Sequence, residues 1–239
     1  MRLILSQEGV CNTVMTNEDG QALYKTSTPF RFGKRTTTLY KVVPNENPED
    51  MQDNFEIIGE IEWHAISSST LRLHGEEMKT KDFMPRHGLW RNKCTFTGPD
   101  GRSYRWNSEF SVVHLSRGDE TCRELARSHR REWGIIGAKR NPYLEVDEEL
   151  GHMLDIVVLT FIYVEKQRMV TKQRSTLARK KLRVLAFIKV VLVPGGSSII
   201  ARLLVMVHNV DGYAPHLYER KEAKRYVQAH HIVSHASPK

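Results

Sequence analysis

Apolar and polar residues alternate in short bursts over the first 147 positions, with turn residues between them and no helical periodicity of useful length. Arg2–Ser6, Asn12–Thr16 and Gln21–Ser27 read as strands, the last two separated by the hairpin turn Asn17-Glu18-Asp19-Gly20. Arg35 to Val42 is rich in β-branched residues and ends at the polar loop Pro44–Asp50. In Phe55–Trp63 the positions Ile57, Gly59, Ile61 and Trp63 alternate with Glu56, Ile58, Glu60 and Glu62, which predicts a half-buried strand with one mostly acidic face. Thr70–His74 follows, and Lys93–Thr97 and Arg102–Trp106 flank a Gly98-Pro99-Asp100-Gly101 turn. Phe110–Leu115, Cys122–Ser128, Glu132–Ala138 and Tyr143–Val146 complete about twelve strands, the pattern of a sandwich or a barrel.

The pattern changes at Asp147-Glu148-Glu149, an acidic helix start matched by Lys166 and Arg168 at the far end, which predicts a helix over about 148–169. From Met153 to Val164 its apolar residues cover every face, so the helix must be surrounded rather than laid on a surface. A closed antiparallel barrel around it meets that demand and leaves no sheet edge exposed. The apolar run is about 12 residues long and contains Asp155, against the roughly 20 residues a membrane span needs.

Net charge changes the picture only once it is divided. The chain of 239 residues carries +8, but residues 1–164 hold 21 basic and 24 acidic side chains, whereas 165–239 hold 15 and 4. The basic character therefore belongs to the last third, expected as a C-terminal extension over 171–239 beside a domain over 1–170. Cys11, Cys94 and Cys122 show no metal-clamp or redox spacing and read as small buried or half-buried residues. With no secretory pattern at the start, a cytoplasmic protein is expected, peripherally bound to membrane if the tail acts as an anchor.

The order of elements, many strands and then a terminal hydrophobic helix, resembles the tubby C-terminal-like superfamily of tubby, LURP-one-related and phospholipid scramblase proteins. Arg35-Thr36-Thr37-Thr38, Ile61-Glu62-Trp63-His64, Phe96–Gly101 with Tyr104 and Trp106, and His152–Asp155 leading to Phe161–Lys166 carry a closer likeness. In these the chain resembles an uncharacterised fungal family of domains of unknown function placed near that superfamily. The resemblance implies a tubby-like β-barrel over residues 1 to about 170. It transfers no catalytic residue. For tubby proteins the superfamily implies phosphoinositide binding, and for scramblases bilayers and Ca²⁺, yet no Asp-rich Ca²⁺ loop occurs here.

Candidate chemistry is sparse. Glu60 with Glu62, Asp119-Glu120 and Asp147-Glu148-Glu149 are neighbouring acids that read as solvated rather than as an acid/base pair. His64, His74, His114 and His129 fall on different strands and read as hydrogen-bonded histidines. No HExxH, GxSxG, phosphate-loop or dinucleotide motif is present, and neither a cofactor nor catalysis is expected. His230, His231 and His235 form a weak candidate metal cluster. The strongest partner signal is the basic run with Lys172, Arg174, Arg179, Lys180, Lys181 and Arg183, read either as a solvated helix continuation or as an anionic-lipid contact. No aromatic residue interleaves it, so nucleic acid is the weaker partner. Beyond it, 184–193 and 199–207 are two apolar segments joined by a Pro-Gly-Gly turn, readable as a strand or a helical hairpin.

The expected function is a non-catalytic cytosolic binding or scaffold module that meets anionic lipid or a protein partner. The alternatives are a small-molecule enzyme with a cleft at the barrel mouth, and a nuclear or nucleic-acid role for the tail.

Overall fold

The computed structural model describes residues 1–30, 35–44, 53–64, 67–88, 92–132 and 140–192, with side chains up to residue 181. Its strands are β1 (Arg2–Leu5), β2 (Thr13–Thr16), β3 (Ala22–Ser27), β4 (Arg35–Val43), β5 (Asn54–Trp63), β6 (Thr70–Leu73) and β7 (Glu76–Lys79). A four-residue helix, α1 (Thr80–Phe83), leads to β8 (Arg86–His87), β9 (Lys93–Thr97), β10 (Ser103–Ser108), β11 (Val113–Arg117), β12 (Glu124–His129) and β13 (Tyr143–Val146). A 3-10 turn (Glu148–Met153) then opens the long helix α2 (Leu154–Leu192).

All thirteen strands belong to one antiparallel sheet in the order β7-β6-β5-β4-β3-β2-β1-β13-β12-β11-β10-β9-β8. Every neighbour in that order is also a neighbour in sequence except β1 and β13, whose pairing ties the first described strand to the last. Of the expected closed or nearly closed barrel, full closure is not found: among the described residues no ladder joins β7 to β8, so the sheet keeps two ends. The local chemistry explains this. β8 has only two residues, it follows Pro85, which has no N–H to donate, and the link from β7 is coiled into α1.

The sheet nevertheless curves around α2. From Val157 to Val164 every helix side chain is buried, as the all-round apolar pattern requires. β5 and β10, each third from an end of the sheet, both place a tryptophan on the helix. Trp63 stacks on Tyr163 with ring centres 5.9 Å apart, and Trp106 packs on Phe161 at 6.1 Å while its Nε1 donates to Thr160 Oγ1 at 3.0 Å. Gly59 of β5 faces Leu159 of α2 and the backbone of β6, and a Cβ there would meet the Arg72 carbonyl at 2.8 Å and Leu159 at 3.5 Å.

Several local expectations change. The alternation of β5 is broken by a bulge opposite Leu39/Tyr40, which leaves Ile57 exposed and turns Ile58 inward. The helical stretch does begin at 148, but as a 3-10 turn, and α2 runs on past 169 to Leu192. β7, β8 and α1 had no expected counterpart. Cys11 and Cys94 are buried, whereas Cys122 is exposed. Of the expected strand Glu132–Ala138, residues 133–138 lie outside the described set; Glu132 forms a bridge to Arg140. The chain divides into two compact units, Met1–Ala178 and Arg179–Lys239, and within the second the described residues are helical.

Candidate functional site

A charged residue inside an apolar helix is costly unless partners solvate it, and Asp155 is such a residue. It sits in the first turn of α2, where the helix dipole favours an acid, and three other elements supply its partners. Tyr24 of β3 donates its hydroxyl to Asp155 Oδ1 at 2.6 Å. Lys41 of β4 reaches Oδ1 at 2.9 Å and Oδ2 at 3.1 Å. His74, in the turn between β6 and β7, brings Nε2 to 3.1 Å from Oδ2.

That turn is built to aim the histidine. His74 (φ 48°) and Gly75 (φ 87°) both have positive φ, the pattern of a two-residue type I′ hairpin, which Gly adopts freely and His only at some cost. The His74 N–H also donates to the Ile58 carbonyl at 2.8 Å, pinning the turn to β5.

Burial works against the Asp155 carboxylate, but the Tyr24, Lys41 and His74 contacts outweigh it and hold its pKa below the ordinary value. Burial, and then the adjacent Asp155, push the Tyr24 phenol far above its usual range. The carboxylate therefore stays ionised and the phenol stays protonated near neutral pH. Beside the cluster lies a cavity of about 580 Å³ with Leu23, Val42, Leu73, Met78, Leu154 and Ile156 in its wall. Chemically, this is a mostly apolar recess with an internally neutralised ion pair at its polar side.

The other polar groups sort into structural networks. Glu60 and Glu62 both pair with Arg72, at 3.4 and 3.2 Å, and His64 Nε2 lies 3.0 Å from Glu62. Asp119 Oδ1 accepts from the Thr121 backbone N–H at 3.1 Å, and the Asp119 carboxylate is held below its usual range mainly by the Thr121 side-chain bond. Asp147 caps the 3-10 turn through the Glu149 N–H at 3.0 Å and pairs with Arg123 at 2.7 Å, while Glu149 binds Arg102 and Arg117. His114 and His129 answer to Asn107 and Glu145 respectively. The four histidines thus do not gather at one place, although His114 and His129, on the neighbouring strands β11 and β12, both lie near Glu124. Among the described residues no group of three or more His, Cys, Asp or Glu could hold a metal, and His230, His231 and His235 lie outside them.

The basic run falls on α2. Lys172 is half-buried with its Nζ 5.4 Å from the Phe110 ring centre, whereas Arg174, Arg179, Lys180 and Lys181 are exposed. At 100° per residue these four spread around the helix instead of forming one stripe. Arg183 is in the helix, with its side chain outside the description, as are those of the apolar segment from 184; residues 193–239 are undescribed, including the second apolar segment, 199–207. No helix among the described residues is long and apolar enough to cross a membrane.

No local pattern marks Tyr24 or Lys41, and His74 by its sequence is an ordinary hydrogen-bonded strand histidine. Asp155 alone carried a signal, as the one charge within the apolar run.

No curated protein and no solved structure matches the chain. A family model does match, over residues 8–170, which takes in β2 to β13 and the buried part of α2. The chain belongs to that family, a family of unknown function (DUF6593).

Proposed function

We propose that residues 1 to about 170 act as a non-catalytic cytosolic binding or scaffold module, and that the basic stretch beyond adds attraction for anionic membrane lipid. The observation that carries the non-catalytic part is the Asp155 cluster. Its four acceptor positions are filled by Tyr24, Lys41 and His74, and its phenol and carboxylate titrate far from neutrality. General acid/base chemistry wants a group that exchanges protons near the working pH.

A tubby-like relationship, and with it the kinship to fungal and LURP-one-related domains, is part of this proposal. Support comes from one curved antiparallel sheet touching a buried terminal helix from both of its halves. For the lipid contact, support comes from the four exposed cations Arg174, Arg179, Lys180 and Lys181, each worth about 1 kcal/mol near an anionic surface. Flotation of the full chain with phosphatidylserine vesicles at low and high salt tests it. Wild type should float at low salt only, and the variant R174Q/R179Q/K180Q/K181Q should stay at the bottom in both. A variant that floats like wild type refutes the tail's role.

The cavity beside Asp155 favours a second reading, a small-molecule enzyme working at the mouth of the sheet. It ranks lower because the Asp155 carboxylate has its acceptor positions filled and the Tyr24 phenol stays protonated near neutral pH.

A further inference from the structure

We propose that the cavity at the start of α2 binds a small amphipathic molecule whose polar end is an oxygen acceptor, a carboxylate being the strongest form. This deepens the binding-module reading and rests on it, at a place separate from the basic tail.

The size is suitable: about 580 Å³ falls within the roughly 300–1,000 Å³ of small-molecule sites. The wall is apolar, and Leu23, Met78, Leu154 and Ile156 are only partly buried, so they retain surface that a ligand's apolar body would cover. At the polar side the cluster leaves mostly donors. Asp155 has its lone pairs occupied and has no acceptor capacity to spare. Lys41 has three N–H donors, spends at most two of them on Asp155, and its side chain is 44% exposed. His74, 57% exposed, uses Nε2 on Asp155 and keeps Nδ1. The charge of Lys41 is balanced by Asp155, and Glu76 adds one exposed acid to the lining, while His152 adds an imidazole. A ligand amine would find the Lys41 ammonium against it, with the neutral His74 Nδ1 as its acceptor at the cluster; a carbonyl, hydroxyl or carboxylate oxygen would find the spare N–H donors of Lys41. The histidine's positive-φ placement marks the turn as shaped for position rather than for ease.

Calorimetric titration of the full chain with decanoate and decylamine below their micelle concentrations, and with decanol below its solubility limit, tests this. Decanoate should bind one per chain, decanol more weakly and decylamine most weakly. K41M/D155N removes both charges together, so no unpaired carboxylate is left buried, and it should weaken decanoate by about tenfold or more. His74→Asn suits the same turn and should weaken it several-fold. Met78→Trp should block the cavity and abolish binding of all three. The tail variant R174Q/R179Q/K180Q/K181Q should bind decanoate as wild type does, which separates this site from the lipid contact. Decylamine binding as tightly as decanoate, unchanged affinity in K41M/D155N, or loss of decanoate in the tail variant would each overturn the proposal. Vesicle flotation by the tail stands or falls on its own result.

Discussion

The helix α2 contains two stretches under different rules. From Val157 to Val164 every side chain is buried, and from Thr171 to Lys181 every one but Lys172 is exposed. Backbone hydrogen bonding is the same in both, so helicity says nothing about burial. In the first stretch the apolar residues need cover, and both halves of the sheet supply it, Trp63 of β5 from one side and Trp106 of β10 from the other. In the second, Lys, Arg, Gln, Ser and Thr remain hydrated, and good helix formers suffice to carry the backbone onward. Charged groups bracket the buried stretch: Asp155 with its three partners at the start, and at the end the buried pair of Glu165 and Arg168, 2.7 Å apart at Nε, with Arg168 also donating to the Phe110 carbonyl at 3.0 Å.

The sharpest way to break this comparison is to place one charge in each stretch. Leu159→Asp should unfold the domain, since an unpaired buried carboxylate costs several kcal/mol, about the whole stability of a domain. Leu177→Asp should change the urea midpoint by less than about 0.5 kcal/mol equivalent. If both variants unfold, the exposed stretch is packed against something.

Next in size is the bracket at the far end. Glu165→Gln leaves the Arg168 guanidinium buried without its counter-charge and should cost about 3–5 kcal/mol by denaturant unfolding. Thr160→Val follows at about 1–3 kcal/mol, because the fully buried Trp106 Nε1 loses its acceptor. A Thr160→Ser variant that keeps wild-type stability would attribute the loss to the hydroxyl and not to packing.

The smallest effect concerns the bracket at the near end and depends on pH. Asp155 has a folded pKa below its unfolded value of 3.8, so its contribution is present above 3.8 and is lost as pH falls from there through the folded value. Unfolding midpoints of wild type and Asp155→Asn, measured from neutral pH down, should converge over that acid window. A gap that stays constant there would show that the carboxylate's charge is not what Lys41, Tyr24 and His74 stabilise.

Strand periodicity made most of the sheet legible from the residues alone, because an alternating pattern specifies one buried face wherever a strand ends up. β7 and β8 escaped because Glu76-Glu77-Met78-Lys79 and Arg86-His87 carry no alternation; they are short edge strands held by their neighbours' hydrogen bonds. The bulge in β5 escaped because it depends on pairing with β4, and one extra residue there reverses which isoleucine faces in. Of the candidate site only Asp155 left a trace. Tyr24, Lys41 and His74 lie 131, 114 and 81 positions away, and ordinary residue types that far apart carry no local pattern.

By itself the sequence determined the class of fold, the buried helix and the division between an acidic body and a basic tail, since each follows from periodicity, hydropathy or charge within a short window. Only the tertiary structure decided that the sheet stays open between β7 and β8, and that Asp155 is the centre of a cluster rather than a flaw in an apolar run. Both depend on which backbone and side-chain groups meet across long separations, and the pairing of β1 with β13 and the curvature of the sheet around α2 set those meetings.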